Sequence, residues 1–342
     1  MVITGKDIKT AVNRICKTAV IDPYTNDGYI DICTTLDTMF FIRMSSAVNI
    51  VCKISVTDSK ILGAQLNISD LLSLSKNMDV HDITVTINKT ATRSRLIFTQ
   101  KATKIAIPFK EKIVKRPEWK EKGIRINIEK IKSLSTFIPK PLVKGILLKS
   151  GDQNSISCID ESKIGIIKWE AKEEEELIVL PFNGWSIFDR DISVYATNKY
   201  VVISNEEVIV TQPAIAITIP DITDNIEREK ADTITCSKSE LRKGLNSCTS
   251  FSQIDNPFVT MCTENNILTI KAVNKIKDTG FIQEMTIENP SDMISMKVNL
   301  PNIISAISSI QGKEKVIIGK LKKKPIMFVE SEGSRFYTVI QS

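Results

Sequence analysis

The feature that most constrains this chain is an internal repeat. Leu66-Asn67-Ile68-Ser69-Asp70-Leu71-Leu72 recurs as Val298-Asn299-Leu300-Pro301-Asn302-Ile303-Ile304. The shared order is apolar, Asn, apolar, any, Asp or Asn, apolar, apolar. The copies stand 232 residues apart, about twice 114, and the 342 residues are three times 114. The pattern reads as a strand ending in an apolar residue, then a helix whose free N–H groups are capped by a polar side chain. Pro301 suits the first turn of that helix. Midway, Leu180-Pro181-Phe182-Asn183-Gly184-Trp185 is a weaker third copy, with Pro181 where the others have Asn. A period of this length points to one supersecondary unit used three times.

The flanking pattern follows the same period. Each copy precedes three strand-like runs, the last being Lys104-Ile105-Ala106-Ile107-Pro108, Ala216-Ile217-Thr218-Ile219-Pro220 and Phe336-Tyr337-Thr338-Val339-Ile340. Each third also opens on a helical stretch, around Lys6–Ala19, Ile128–Ile138 and Ser237–Cys248, the last with a Ser237/Glu240 capping box. Runs such as Ile83-Thr84-Val85-Thr86-Ile87 and Val201-Val202-Ile203 have strand composition. Polar stretches at 111–118 and 223–230 read as linkers, giving domains 1–113, 114–223 and 224–342. The expected class is α+β, mostly antiparallel sheet with a couple of helices per segment. Glu173-Glu174-Glu175-Glu176 reads as a solvated hairpin turn, and Lys320-Leu321-Lys322-Lys323-Lys324-Pro325 as an exposed one.

Composition then excludes several chemistries. Seven cysteines, an odd number with no Cys-x-x-Cys, argue against a disulfide framework or a zinc site and for a reducing, cytosol-like compartment. A single histidine, His81, removes most triad and His-ligand chemistry. No nucleotide-binding glycine loop or nucleophile elbow occurs, and Asp189-Arg190-Asp191 reads as solvent-facing, so no enzyme, metal or cofactor is expected. Neither a spanning apolar run nor a signal-peptide layout is read. The formal charge is +6, distributed +5, −2 and +3 over the successive thirds. That excess permits nucleic-acid contact and places it on folded elements instead of a basic tail.

These residues resemble the bacterial DNA polymerase III beta subunit, the sliding clamp family, over essentially the whole chain. The resemblance is carried by Val298-Asn299-Leu300 through Ile310, by Val316-Ile317-Ile318, by Ile326-Met327-Phe328-Val329-Glu330 and by Tyr337-Thr338-Val339-Ile340. Cys158-Ile159-Asp160-Glu161-Ser162-Lys163-Ile164 is similar to the family's Ala-Thr-Asp-Gly-His-Arg-Leu, holding at Asp160, Lys163 and Ile164. Ile219-Pro220-Asp221-Ile222 is similar to Phe-Pro-Asp-Tyr. Glu161-Ser162 replace Gly-His, the C-terminus looks shortened, and the charge is basic where cellular members are usually acidic. These departures imply a divergent member, encoded by a phage or mobile element.

The resemblance implies three clamp-type domains, each with antiparallel sheets outside and two helices inside. It also implies a cytoplasmic homodimer closed head to tail around DNA and bound by short peptides of a polymerase and a clamp loader. Basic residues recurring on the opening helices are the expected duplex-facing set: Lys6, Lys9, Arg14, Lys17, Lys130, Lys132, Lys140, Lys238, Arg242 and Lys243. The implied peptide pocket takes Val143, Ile159, Lys163, Ile164 and Pro220 from the second segment, and Asn299, Asn302, Thr338, Val339 and Ile340 from the third. The alternative is a clamp-fold processivity factor that binds DNA through one basic face without closing a ring.

Overall fold

The computed structural model describes residues 1–17, 28–45, 48–58, 62–115, 123–139, 145–181, 185, 187–215, 226, 229–252, 257–288, 294–312 and 314–341. In the first segment the elements are β1 (Val2–Thr4), α1 (Gly5–Lys17), β2 (Tyr29–Thr34), β3 (Thr38–Arg43), β4 (Asn49–Ser55), β5 (Gly63–Asn67), α2 (Ile68–Asn77), β6 (Asp82–Lys89), β7 (Ser94–Gln100) and β8 (Thr103–Pro108). A short β9 (Lys110–Glu111) follows. The second segment has β10 (Ile124–Ile126), α3 (Ile128–Phe137), β11 (Gly145–Lys149), β12 (Gln153–Ile159), β13 (Lys163–Glu170), β14 (Leu177–Pro181), β15 (Ile192–Ala196), β16 (Tyr200–Ser204) and β17 (Val208–Pro213). The third has β18 (Ala231–Ser237), α4 (Lys238–Cys248), β19 (Phe258–Glu264), β20 (Ile267–Asn274), β21 (Thr279–Thr286), β22 (Ser295–Asn299), α5 (Leu300–Ser309), β23 (Lys315–Leu321), β24 (Ile326–Ser331) and β25 (Ser334–Gln341).

The order strand, helix, four strands, helix, three strands thus recurs in the first and third segments. The second repeats its strands and first helix; the place of its second helix falls at 182–186, mostly outside the described residues. Pairing repeats as well. β1-β6-β7-β8, β10-β15-β16-β17 and β18-β23-β24-β25 are equivalent antiparallel runs, as are β4-β3-β2-β5, β13-β12-β11-β14 and β21-β20-β19-β22. Two seams join neighbouring segments. β17 pairs β4 with Val208 opposite Cys52, and β25 pairs β13 with Phe336 opposite Gly165. The first seam completes a nine-stranded sheet, the second a twelve-stranded one.

The helix starts have a local cause. Asn67 Oδ1 accepts from the Ser69 amide at 2.8 Å, and Asn299 Oδ1 from the Asn302 amide at 3.1 Å. The first Asn of each repeat is therefore the N-cap, worth about 1 kcal/mol. Ser237 Oγ accepts from the Glu240 amide. On α1, Ile8, Ala11, Val12 and Ile15 are all buried, a single stripe at helical spacing. Arg43 donates to the Ile15 carbonyl at 3.0 Å, satisfying an acceptor near the helix end.

The second segment is shared between two compact units: 1–128 with 181–215, and 129–180 with 216–342. Its strands complete one sheet in each unit, which is why a linear cut at 114 and 223 does not describe the compactness. The strand read at Ala216–Pro220 lies outside the described residues. The Glu173–Glu176 run is not a hairpin turn: β14 lies beside β11, so the run crosses from one edge of that sheet to the other side of it. It is also anchored, with Asn154 Nδ2 donating to Glu173 at 2.9 Å and Ser150 Oγ to the Glu174 carbonyl at 2.6 Å. The lysine run does sit at a hairpin, between β23 and β24. It is not simply solvated, since Lys322 pairs with Asp232 at 2.8 Å and Lys324 with Glu229 at 3.1 Å.

Candidate functional site

The expected cation set resolves into distinct environments. On α1, Lys6 is exposed and Lys9 half-buried; Lys17 ends the helix. Arg14 stands apart. Its guanidinium donates to Glu207 Oε2 at 2.6 Å and to both Asp189 oxygens at 3.0 Å, with its side chain 11% exposed. A fork satisfied by two carboxylates offers little to a phosphate. On α3, Lys130 Nζ lies 5.5 Å from the centre of the Trp169 ring, and Lys132 pairs with Glu129 at 2.6 Å. Lys140 lies outside the described residues.

On α4, Arg242 and Lys243 are exposed. Lys238 donates to the Ile310 carbonyl; burial lowers its pKa, and neighbouring Arg242 pushes the same way. With Ser239, Asn246 and Glu314, these three cations line an open concavity of about 960 Å³. The lining combines cationic groups with hydroxyl and amide donors and one carboxylate, Glu314.

Eight of the ten residues expected to form a peptide pocket lie near one end of the β13–β25 seam, on both faces of the sheet. Asp160 builds the turn there. Its Oδ1 accepts from the amides of Ser162 and Lys163, each at 2.7 Å, which tightens the β12–β13 hairpin. Lys163, opposite Thr338 in register, reaches back to the Phe137 carbonyl at 3.1 Å and lies over the Phe137 ring. Its pKa is lowered by burial, against the attraction of Asp160. Ile159 and Ile164 are register partners, both half-buried.

From the third segment, Asn299 caps α5, and Asn302 Nδ2 donates to the buried Thr338 Oγ1 at 3.1 Å. Val339 is 46% exposed while Ile340 is buried against β22. The Val339 amide donates to the Ser162 carbonyl at 3.1 Å. Strand alternation puts exposed Val339 on the same face as half-buried Ile159 and Ile164, and Lys163 with Thr338 on the opposite face, toward α3 and α5. Val143 and Pro220 lie outside the described residues.

Sequence reasoning missed the carboxylates around Arg14 and the Trp169 ring under Lys130. Both are partners distant in sequence, the carboxylates in loops and Trp169 on β13, and neither leaves a local signal. Among the described residues no group of three or more His, Cys, Asp or Glu side chains is placed to hold a metal. Nor is any described helix long and apolar enough to cross a membrane.

Two four-stranded antiparallel runs per repeat, with a helix pair in the first and third repeats and one described helix in the second, are the pattern of the clamp fold. The chain matches DNA polymerase III beta subunits of known structure over its full length. The sliding clamp of Pseudomonas aeruginosa aligns at a TM-score of 0.81 and 12% identity, covering 100% of this chain and 99% of that one. The Helicobacter pylori beta clamp bound to a DNA ligase peptide aligns at 0.78 and 14%, with the same coverage. The Thermotoga maritima beta subunit aligns at 0.79 and 11%, again with the same coverage. At these identities the likeness is one of fold. No protein-family model matches the sequence, and no curated protein does.

Proposed function

We propose that this chain is a DNA polymerase processivity factor, a sliding clamp built of three domains, 1–113, 114–223 and 224–342. It closes head to tail with a second copy around duplex DNA and tethers a polymerase by a short apolar peptide. The observation that carries this reading is the series of seams. β17 of the second repeat pairs β4 of the first, and β25 of the third pairs the equivalent β13 of the second. The same rule would place β8 on the strand equivalent to β4 in a preceding repeat. Among the described residues β8 keeps an open edge, and β21, the third repeat's counterpart of β4, is open as well. Edges left unpaired at both ends of a repeating series favour a second copy, and a two-fold arrangement makes both closures alike.

The clamp performs no bond chemistry. Lys6, Lys9, Lys17, Lys130, Lys132, Lys140, Lys238, Arg242 and Lys243 supply a salt-screened attraction that lets duplex slide. Arg14 is left out of that set because its fork is occupied. The apolar face of Ile159, Ile164 and Val339 takes the apolar anchors of a partner peptide, and Lys163, Asn302 and Thr338 hold the strand ends from the opposite face. In support, the H. pylori clamp of the same fold has been solved with a DNA ligase peptide.

The deciding experiment is retention on a nicked circular duplex before and after linearisation, with the mass in solution measured by light scattering. A ring gives a dimer that stays on the circle and runs off the linear form. The net charge of +6 favours the second reading, an open clamp-fold factor using one basic face. That factor would be lost equally from both forms as salt rises.

A further inference from the structure

The two seams are reinforced by different chemistry, and Arg14 is the reason. At the β4–β17 seam, the turn Asn205-Glu206-Glu207 leads into β17. Asn205 Oδ1 accepts from the amides of Glu207 and Val208 at 2.9 and 2.8 Å, which fixes the turn on its own side. The Glu207 carbonyl then accepts from the Lys53 amide of β4 at 2.9 Å, the last backbone bond of the seam on that side. From α1, in the first repeat, Arg14 grips the Glu207 carboxylate and bridges to Asp189, both in the second repeat. Arg190 stands 3.6 Å from Glu207 as a weaker second cation, 67% exposed. The Arg14 bonds that tie α1 to the second repeat at this point are ionic and in partial contact with water.

The β13–β25 seam is tied differently. Phe137 of α3 meets Phe336 of β25 edge to face at 5.0 Å. Two neutral donors on or just beyond α5 reach α3: Ser305 Oγ donates to the Thr136 carbonyl at 3.2 Å, and Gln311 Nε2 to the Glu129 carbonyl at 3.4 Å and carboxylate at 3.3 Å.

We infer that Arg14 is a positioning residue that rivets α1 to the β16–β17 turn, and that its ionic contacts make the β4–β17 seam the salt-sensitive joint of the chain. A guanidinium fork holds two carboxylates in fixed directions, which a single ammonium cannot do. Contacts of this kind weaken as ionic strength rises, while apolar burial does not.

The test is amide hydrogen exchange on the full chain, and it involves no DNA. The Lys53 amide reports the first seam, and the Val339 amide, which donates to Ser162, reports the second. Raising salt to about 0.5 M, where screening reaches a few ångströms, should speed Lys53 exchange several-fold and leave Val339 unchanged. Arg14→Gln should speed Lys53 exchange about tenfold or more and remove its response to salt, as expected for a lost charge-assisted contact. Arg14→Lys should lie between the two and keep the salt response. Equal acceleration of both amides by salt in the unaltered chain would overturn the proposal, even if Arg14→Gln failed to fold. So would an Arg14→Gln chain with the Lys53 rate and salt response of the parent.

Discussion

At the β4–β17 seam, a guanidinium from α1 holds two partly exposed carboxylates. At the β13–β25 seam, Phe137 and Phe336 close over Gly165, and all three are buried. The backbone pairing is equivalent, yet the side chains across it are not. Repeats that share a fold need only share the groups that define strand and helix; the material between them can be charged in one place and apolar in the next. The apolar seam is insensitive to salt but has no room to spare. A β-carbon added at Gly165 would come within 2.6 Å of Leu134 Cδ2 and 3.3 Å of the Phe336 ring.

That contrast can be broken most severely at the apolar seam. Phe336→Ala should cost about 3–5 kcal/mol, the range for a fully buried aromatic, seen in the full chain as a fall in the denaturant midpoint of the unit formed by 129–180 and 216–342. Gly165→Val should overpack the same junction and cost about 1–3 kcal/mol. At the charged seam, losing the Arg14–Glu207 bond should cost less than Phe336→Ala. The value expected for Glu207→Gln is about 1–2 kcal/mol, discounted for exposure. If Glu207→Gln proves the more damaging change, the assignment of apolar and ionic joints is reversed.

Helix caps give the next effect. Asn67→Ala and Asn299→Ala should each cost about 1 kcal/mol. Asn299→Ala should also loosen the Asn302–Thr338 contact and weaken binding of a partner peptide, whereas Asn67→Ala should leave it unchanged. Equal peptide affinity in both variants would detach α5 from the apolar face of Ile159, Ile164 and Val339.

The smallest effect is chemical. Burial pushes the Cys52, Cys158 and Cys236 thiols up to about 12, so at pH 8 only about one in ten thousand of each is thiolate. The sign is that of a disfavoured anion: reactivity appears only when the site opens or the pH climbs. Cys52 lies on β4 at the charged seam, opposite Val208. Its native-state alkylation should therefore quicken with salt, while that of Cys158 and Cys236 should not. A slow, salt-independent Cys52 would mean that the joint stays shut when the ions are screened.

What could be read from sequence divides along the same line between local and distant causes. The helix starts were legible because Asn67, Asn299 and Ser237 act on amides two or three residues away. The three strands after the first and third copies were legible because β-branched alternation is local as well, whereas after the second the third strand is Val208–Pro213 and not the Ala216–Pro220 run that the Pro spacing suggested. The path of β14 was not: Glu173–Glu176 carries turn composition, but its anchors Ser150 and Asn154 come from the preceding hairpin. Arg14 looked like a surface cation on a polar helix face, because nothing within α1 announces Asp189 and Glu207. For the candidate peptide site, Lys163, Ile164 and Thr338 were named through resemblance. The register that puts Lys163 opposite Thr338 is a property of the sheet.

The seams also set a schedule for synthesis. β4 leaves the ribosome with one edge bare and must wait for Val208, the partner of Cys52, to be translated. β13 waits in the same way for Phe336, the partner of Gly165. Both waiting strands are apolar and β-branched in part, the composition that invites pairing with another nascent chain. Each carries lysine within the waiting run, Lys53 on β4 and Lys163 with Lys168 on β13. Charges there deter mispairing between growing chains on one polysome. The same residues whose backbone or side chains later serve a finished joint thus act first as guards of an unfinished one.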